Sequence, residues 1–338
     1  MNEASETYRR IVLTRFGDDF RSSVEVVEDA APRPDVDELV VHNSAVGINA
    51  WQDLMLSRNA AQGGPVKPPC DLGVHAVGTV SAIGKDVIGF REGDAVLVEG
   101  LGLGYREYAV VPTRAAVKVD AANPELLALV PGGVMAAIAL EQCGELREEE
   151  TVLVTGAAGS AGHIAVQLAK RAGNHVIGIC GTPSRARMLR ELGCDRAVNH
   201  RDETVRDVLE DEYPDGIDLA LDTVGGKLFD ACVDHIAALG RIVVMGFAAE
   251  REAEPESVKQ TRIYHRLFSK SASIRCCSIP PHYLNHVPAY RERVLALHAE
   301  GILQGVVDKT EFAGIGSIPD AVEHQLQDKA CGTVVVRL

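Results

Sequence analysis

Three glycines stand where an apolar run gives way to a segment with helical spacing. Gly156, Gly159 and Gly162 follow the β-branched stretch 152–155, and apolar residues then recur once per helical turn. Such a turn lets an anion approach backbone N–H groups at a helix N-terminus, where the helix dipole favours negative charge. A tight turn without a ligand is the alternative. The predicted pyrophosphate cradle of a dinucleotide consists of Gly156, Ala158, Gly159, Ser160, Ala161 and Gly162.

The end of the next apolar strand should decide which dinucleotide is bound. An Asp or Glu at this place would hold the ribose hydroxyls of NAD(H). The sequence instead has Gly181, Thr182, Ser184 and Arg185. A guanidinium matches the oxygens of a 2′-phosphate, whereas an acid would repel them. The predicted cofactor is therefore NADPH, with Arg187 read as part of an exposed helix face.

Alternating strand and helix patterns surround these residues. Strands are predicted at 151–155, 175–180, 195–199, 217–222 and 241–246, with helices at 163–172, 184–192, 204–212 and 226–238. This alternation predicts an α/β fold with a doubly wound parallel sheet, which binds ligands at the carboxyl ends of its strands. Four candidate cofactor contacts stand at such ends, namely Val224, Met245, Gly246 and Phe247. Earlier in the chain, residues 8–15 and 38–47 indicate an antiparallel β domain.

Several motifs occur in a familiar order along the chain. They are the glycine turn, Leu-Gly-Cys-Asp at 192–195, Asn-His-Arg at 199–201, Asp-Thr-Val-Gly-Gly at 222–226 and Gly-Arg-Ile-Val-Val-Met-Gly at 240–246. Together they resemble the medium-chain dehydrogenase/reductase superfamily, in its zinc-free quinone oxidoreductase branch. The segments 66–73, 192–196 and 212–218 resemble the 15-oxoprostaglandin 13-reductase group within that branch.

The resemblance implies a two-domain organisation and a partner. It places a GroES-like antiparallel β domain at residues 1–125 and 282–338, and an NADP-binding Rossmann domain at 126–281. It also places His200 on the adenosine side of the cofactor. An edge strand near residues 271–279 would pair with its twin in a homodimer, since exposed sheet edges need a partner.

Three residues of the first domain are candidates for catalysis. Asn49 matches an Asn that lies near the nicotinamide and substrate in the zinc-free branch. The family's Asp, three positions later, is replaced by Gln52, so Asp53 fills that role only if the loop is shifted; otherwise it is a loop or helix-capping carboxylate. His75 stands where relatives carry an acid, and it is either a packed histidine or a donor facing the cleft.

The substrate site also departs from the family in another place. Val134, Met135 and Ala137 occupy positions where relatives often carry hydroxyl groups. The resemblance implies an NADPH-dependent reductase of activated C=C bonds in an enone, such as an alkenal, alkenone or 15-oxoprostaglandin-like molecule. Quinone reduction is one alternative, and an NADPH-binding protein with a structural or regulatory role and no redox turnover is another.

Composition limits the remaining possibilities. The chain has 338 residues, 46% apolar and 24% charged, with a formal net charge of −14 that opposes binding to nucleic acid or an anionic membrane. No stretch is expected to span a membrane, and a cytoplasmic location is predicted. The eight cysteines include no Cys-x-x-Cys pair, and residues 48–62 lack Cys, His and Glu. No metal is therefore expected.

Overall fold

The protein, described by a computed structural model over residues 7–60, 66–249, 260–278 and 282–338, folds as two compact units. The first comprises Met1–Val130 with Gly305–Leu338, and the second Pro131–Gln304. The predicted boundaries at 125/126 and 281/282 differ from these for two reasons. Helix α3 (Leu126–Leu129) packs on strands of the first unit, and helix α10 (Val287–Ala299) packs on helix α4 (Gly132–Ile138) of the second.

The first unit is built from two sheets. Its strands are β1 (Thr7–Leu13), β2 (Val24–Ala30), β3 (Glu38–Gly47), β4 (Cys70–Asp71), β5 (His75–Ile83), β6 (Ala95–Glu99), β7 (Tyr108–Pro112), β8 (Ala116–Lys118), β15 (Phe312–Ala313) and β16 (Val335–Arg337). Its helices, besides α3, are α1 (Phe20–Ser23), α2 (Ala50–Ser57) and α11 (Ile318–Leu326). The larger sheet runs β15-β16-β3-β5-β6-β8, with β7 also on β3, and the smaller runs β2-β1-β4. Of these strand pairs, only β15 and β16 run parallel.

Alternating side chains of these strands form the core of the first unit. In β3, Leu39, Val41 and Val46 are buried, and in the neighbouring β5, Ala76 and Val80 face the same core. Leu39 and Val41 keep the period of two of an antiparallel sheet with one buried face, and Val46 returns to that face because the register with β5 shifts between Asn43 and Ala45. The antiparallel domain predicted from residues 8–15 and 38–47 is confirmed, since β1 and β3 occupy these positions.

The second unit contains a six-stranded parallel sheet. Its strands are β9 (Thr151–Val154), β10 (His175–Cys180), β11 (Arg196–Asn199), β12 (Ile217–Asp222), β13 (Ile236–Val244) and β14 (Ser273–Cys276), in the order β11-β10-β9-β12-β13-β14. Its helices, besides α4 and α10, are α5 (Gly162–Arg171), α6 (Pro183–Glu191), α7 (Val205–Glu212), α8 (Gly226–His235) and α9 (Ile263–Leu267). All neighbouring strands are parallel. The predicted α/β class with a doubly wound sheet is confirmed.

Strand β13 begins earlier than the sequence pattern predicts. A helix was expected to 238 and a strand from 241, but α8 ends at His235 and β13 starts at Ile236, whose partner is Ile217. The register then shifts, because Leu239 takes a left-handed φ of 63° and interrupts the apolar pattern. β14 lies at the sheet edge, as expected for 271–279, although residue 279 is outside the described residues.

One segment has the length and composition of a membrane span, which corrects the expectation that none would. It is Leu126–Cys143, which includes α3, α4 and a following π-helical turn at Ala139–Cys143. Of this window, 72% is buried inside the protein. A segment that is apolar on all sides and already covered by protein fits the description of a core helix.

Candidate functional site

The glycine turn between β9 and α5 has no room for side chains. Gly156 has a φ of 57°, and a Cβ there would lie 2.5 Å from Thr223 Oγ1. A Cβ on Gly162 would lie 2.3 Å from the carbonyl oxygen of Gly156. Gly159 is exposed, and its N–H donates to that same oxygen at 2.9 Å. The backbone before α5 therefore carries no side chain at these three positions, as a site where an anion approaches the backbone requires.

A buried aspartate holds this turn in place. Asp222, at the end of β12, accepts hydrogen bonds from Thr155 Oγ1 at 2.5 Å and from the N–H groups of Val224 and Gly225 at 3.1 Å. Thr223 Oγ1 donates to the carbonyl of Thr155 at 2.9 Å. These bonds tie the ends of β9 and β12 together. Sequence reasoning missed the roles of Asp222, Thr155 and Thr223, although both segments follow adjacent parallel strands.

His163 supports the turn from within α5. The ring is buried, and Nδ1 lies 2.8 Å from the carbonyl oxygen of Gly159. Burial lowers the pKa of His163 to about 4, so the imidazole is neutral at physiological pH. The three predicted cradle residues with side chains lie around this turn: Ala158 is buried, and Ser160 and Ala161 are half-buried.

Basic side chains converge on Gly181 at the end of β10. A Cβ there would lie 3.1 Å from His200 Nε2 and 3.5 Å from both Arg185 Nη1 and Arg201 Nε. His200 reaches this place because its N–H donates to the carbonyl of Cys180, which aligns the ends of β10 and β11. The structure thus brings His200 and Arg185 together beside Gly181. It adds Arg201, which the pattern did not single out.

The start of α6 fixes Arg185, one of the two arginines around Gly181. Thr182 is the N-cap residue, and its hydroxyl accepts from the N–H of Arg185 at 3.3 Å and lies 3.1 Å from Ser184 Oγ. Arg185 is 7% exposed, whereas Arg187 on the same helix is exposed. Hydroxyls and a guanidinium at one helix N-terminus suit a phosphate group.

The other predicted cofactor contacts also gather at this edge. Val224 Cγ2 would lie 3.1 Å from a Cβ on Gly156. The N–H of Met245 donates to the carbonyl of Asp222 at 2.7 Å, and a Cβ on Gly246 would lie 3.0 Å from the carbonyl of Thr223. Val224, Met245, Gly246 and Phe247 are all half-buried. The carboxyl ends of β12 and β13 therefore adjoin the glycine turn.

Helix α4 packs closely on the same turn and presents an apolar surface. A Cβ on Gly132 would lie 2.7 Å from Ser160 Oγ, and one on Gly133 would lie 3.1 Å from Ile164 Cγ2. Beyond these glycines, Val134 and Ala137 are buried and Met135 is half-buried. The positions at which the resemblance implies hydroxyl groups therefore carry aliphatic groups and a thioether.

In the first unit, the Asn49 side chain engages its own helix. Asn49 is the N-cap of α2, with Oδ1 accepting from the N–H of Gln52 at 3.4 Å. Its Nδ2 donates to Gln52 Oε1 at 3.1 Å. Both residues are half-buried. The structure therefore places an amide pair at the start of α2.

Asp53, a predicted catalytic residue, points into the interior of the first unit. It is 3% exposed, and Oδ2 accepts a hydrogen bond of 2.5 Å from the Tyr105 hydroxyl. Burial raises the pKa of Asp53 to about 7, although the bond from Tyr105 acts in the opposite direction. Burial also raises the pKa of Tyr105 well above its usual value. Asp53 is therefore a buried carboxyl within α2, and the loop or helix-capping alternative does not describe it, because Asn49 is the N-cap of this helix.

His75, the third candidate, is also enclosed. It is 3% exposed, and neither ring nitrogen has a well-formed hydrogen bond with any described residue. The ring lies against Gly47, where a Cβ would come within 2.0 Å of Nε2. Burial lowers the pKa of His75 to about 4, which outweighs the opposing effect of a backbone group of Leu127. The packed-histidine alternative therefore fits the structure.

A search for metal ligands gives a negative result for the described part of the chain. Over residues 7–60, 66–249, 260–278 and 282–338, no group of three His, Cys, Asp or Glu side chains could hold a metal ion. None of the eight cysteines, all of which lie within the described residues, forms a disulfide.

Comparison with known proteins assigns the family. Residues 35–121 match the alcohol dehydrogenase GroES-like domain, and residues 161–285 match the family described as zinc-binding dehydrogenase. Prostaglandin reductase-3 of Mus musculus is 37% identical over 98% of this chain and 90% of its own length. A probable quinone oxidoreductase of Leishmania amazonensis is 32% identical over 98% of both chains.

The solved structures agree on the fold. The quinone oxidoreductase of Pseudomonas syringae pv. Tomato DC3000 superposes with a TM-score of 0.81 at 24% identity, covering 98% of this chain and 100% of its own. The chain belongs to the medium-chain dehydrogenase/reductase superfamily, in the family that includes prostaglandin reductase-3 and its quinone oxidoreductase-like neighbours. The first unit is accordingly the GroES-like domain, and the second is the Rossmann domain.

The burial of His75 predicts a pH-dependent stability. The folded-state pKa of His75, about 4, lies below the ordinary value of 6.5, so the unfolded chain binds a proton at a higher pH than the folded protein does. The contribution of the neutral ring to the free energy of unfolding is therefore complete above pH 6.5 and is lost as the pH falls towards 4. His75→Gln removes this titration. When the pH is lowered from 7 to 4, the free energy of unfolding measured with urea should fall in both proteins. The fall should be smaller in the variant than in the parent by about 3 kcal/mol.

His163 remains in both proteins, so the difference between their profiles isolates His75. Turnover at pH 7 should survive the substitution, because the ring is enclosed. A folded His75→Gln protein with roughly 10²-fold lower turnover and an unchanged pH profile of stability would instead show that His75 acts in catalysis.

Proposed function

We propose that this protein is a zinc-independent reductase that uses NADPH to reduce the activated C=C bond of an enone. The observation that carries the proposal is the bare glycine turn at the start of α5, with the basic cluster of Arg185, His200 and Arg201 around Gly181. The relatives named prostaglandin reductase-3 support a substrate of the prostaglandin class, and alkenals and alkenones would share the activated C=C bond of such an enone. When bound, NADPH supplies the hydride that reaches the β-carbon of the enone.

The second unit fits both phosphate groups of the cofactor. The start of α5 at residues 161–162 would bind the pyrophosphate, because the helix dipole favours an anion there and the glycines of the turn carry no side chains. The N–H groups of Ala157 and Gly159 instead donate to the carbonyls of Ile179 and Gly156 and hold the turn. Arg185, Arg201, Thr182 and Ser184 would bind the 2′-phosphate. His200 would lie on the adenosine side, while Val224 and residues 245–247 would line the nicotinamide end.

In the first unit, Asn49 belongs to the substrate site in this proposal. Asp53 and His75 would support the domain from within, since both are enclosed. In the second unit, Val134 and Ala137 of α4 are buried in the core, and Met135 is half-buried. No step requires a metal if hydrogen-bond donors hold the substrate oxygen.

Quinone reduction is a second candidate, favoured by the Leishmania relative, which is named as a probable quinone oxidoreductase. The same cofactor site would serve it, and only the acceptor differs.

The function is tested with a panel of acceptors. Protein dialysed against EDTA should oxidise NADPH steadily with alkenals, alkenones and 15-oxoprostaglandins, and with higher kcat/KM than with quinones. Elemental analysis should find no stoichiometric zinc. Tight NADPH binding without turnover on any acceptor would support a binding protein instead, and an activity lost with about one zinc per chain would refute the metal-free mechanism.

The basic cluster predicts cofactor selectivity. NADPH should bind at least tenfold more tightly than NADH, about 1.4 kcal/mol, because only NADPH carries the 2′-phosphate. Arg185→Ala should remove most of this gap while leaving NADH affinity unchanged. Fluorescence titration with both cofactors measures this difference in affinity. Arg187→Ala, on the exposed face of α6, is the matched control and should keep the gap; equal affinities in the parent would contradict the assignment.

We further propose a cytoplasmic homodimer that pairs through β14. Eight cysteines without a disulfide among them favour a reducing compartment. β14 is an edge strand, and the neighbouring residues 263–270 expose Phe268 at 84%, with Ile263 and Tyr264 also exposed. An unpaired edge beside an apolar surface favours association with a second copy.

The dimer predicts a result for Phe268→Asp. A charge on this surface should be buried unpaired in the dimer, so the variant should sediment as a monomer while the parent sediments as a dimer. Val26→Asp, at an exposed apolar residue of the other unit, is the control and should leave the dimer intact. A monomeric parent, or a dimeric Phe268→Asp protein, would count against the pairing.

A further inference from the structure

Two cysteines of the second unit lie side by side in its interior. Cys143 ends the π-helical turn that follows α4, and Cys277 directly follows β14. Both residues are buried, and the thiol of Cys277 is hydrogen-bonded to the thiol of Cys143. The two positions are far apart in the sequence, so only the fold brings these sulfur atoms together.

Hydrogen bonds to the backbone hold both cysteines in place. The N–H of Cys277 donates to the carbonyl of Val244, at the end of β13, at 2.8 Å. Arg275, in β14, donates from Nη1 to the carbonyl of Cys143 at 2.8 Å and to Glu145 Oε1 at 2.7 Å. The strand that leads to Cys277 is therefore bonded directly to the turn that carries Cys143. Neither sulfur atom needs a change of fold to meet the other.

The chemical state of the pair is set by its surroundings. Burial raises the pKa of the Cys277 thiol, and the hydrogen bond with Cys143 acts in the same direction, so Cys277 is a neutral thiol at physiological pH. The Cys143 thiol has a second hydrogen-bond partner in the hydroxyl of Tyr283. Thiols in such contact need only a small rotation of their side chains to reach the S–S distance of about 2.0 Å.

We propose that Cys143 and Cys277 form a reversible disulfide that locks the end of β14 to the turn after α4. The oxidant is a low-molecular-weight disulfide, such as oxidised glutathione. One cysteine, as its thiolate, attacks a sulfur of this disulfide, forms a mixed disulfide and releases the first glutathione thiol. The other cysteine attacks the mixed disulfide and releases the second. The protein loses two electrons and two protons, and the two glutathione thiols gain them.

In a reducing cytoplasm the pair stays as two thiols, and disulfides that do form there are mostly transient and redox-sensing. The bond would therefore report a shift towards oxidising conditions. Neither NADPH nor an enone takes part in this exchange, so the outcome of its test is independent of the proposed function.

Peptide mapping tests the disulfide in the folded full-length protein. The protein is incubated in a glutathione redox buffer until the linked fraction is constant, because buried thiols react slowly. It is then alkylated and digested with trypsin without reduction. Mass spectrometry should find residues 119–147, whose only cysteine is Cys143, joined to residues 276–291, and dithiothreitol should separate them. In concentrated urea the equilibrium constant for the link should be at least tenfold smaller, because the unfolded chain has to close a long loop.

Cys276→Ala is the matched control, because the second peptide also contains Cys276, whose side chain is exposed. This variant should keep the link, whereas Cys277→Ala should lose it. Fragmentation of the linked peptides identifies the bonded cysteine in the parent, so the assignment is tested even if a variant does not fold. A link made through Cys276 would overturn the proposal. A folded parent without the link, or an equal equilibrium constant in urea, would overturn it as well.

Discussion

The candidate cofactor site depends on one buried carboxylate. Asp222 is fully enclosed, and its side chain accepts hydrogen bonds from Thr155 and from two backbone N–H groups beyond β12, while its carbonyl accepts from Met245. These bonds join the ends of three adjacent strands, β9, β12 and β13. Because a buried charged group without such partners would be costly, the ends of these strands have little freedom to separate. The glycine turn keeps its shape against this fixed edge.

Sequence periodicity was sufficient for the architecture and for the residues that must be small. Gly156, Gly159 and Gly162 could be predicted, since a backbone that approaches an anion excludes side chains, and the parallel sheet followed from alternation of strands and helices. The start of β13 could not be predicted. Its first residue, Ile236, directly follows α8, and the left-handed Leu239 breaks the strand pattern, so local apolar spacing suggested a longer helix.

The polar candidates were harder to predict because the direction of a side chain depends on tertiary contacts. Asp53 and His75 looked suitable for proton chemistry, but both are buried. Asp53 accepts a hydrogen bond from Tyr105, and the His75 ring packs against Gly47. Arg201 was overlooked because its proximity to Gly181 arises only when β10 and β11 align. Gln52 was seen as a departure from the family pattern, and its hydrogen bonds with Asn49 could not be predicted because they depend on where α2 begins.

The central claim is that hydride passes from NADPH to the β-carbon of an enone, and isotope transfer tests it most directly. The protein is incubated with an alkenone and, separately, each C4-deuterated epimer of NADPH, and the product is analysed by NMR. One epimer should place a single deuterium on the β-carbon of a saturated ketone. Deuterium on the former carbonyl carbon, or a product without deuterium from either epimer, would contradict the account.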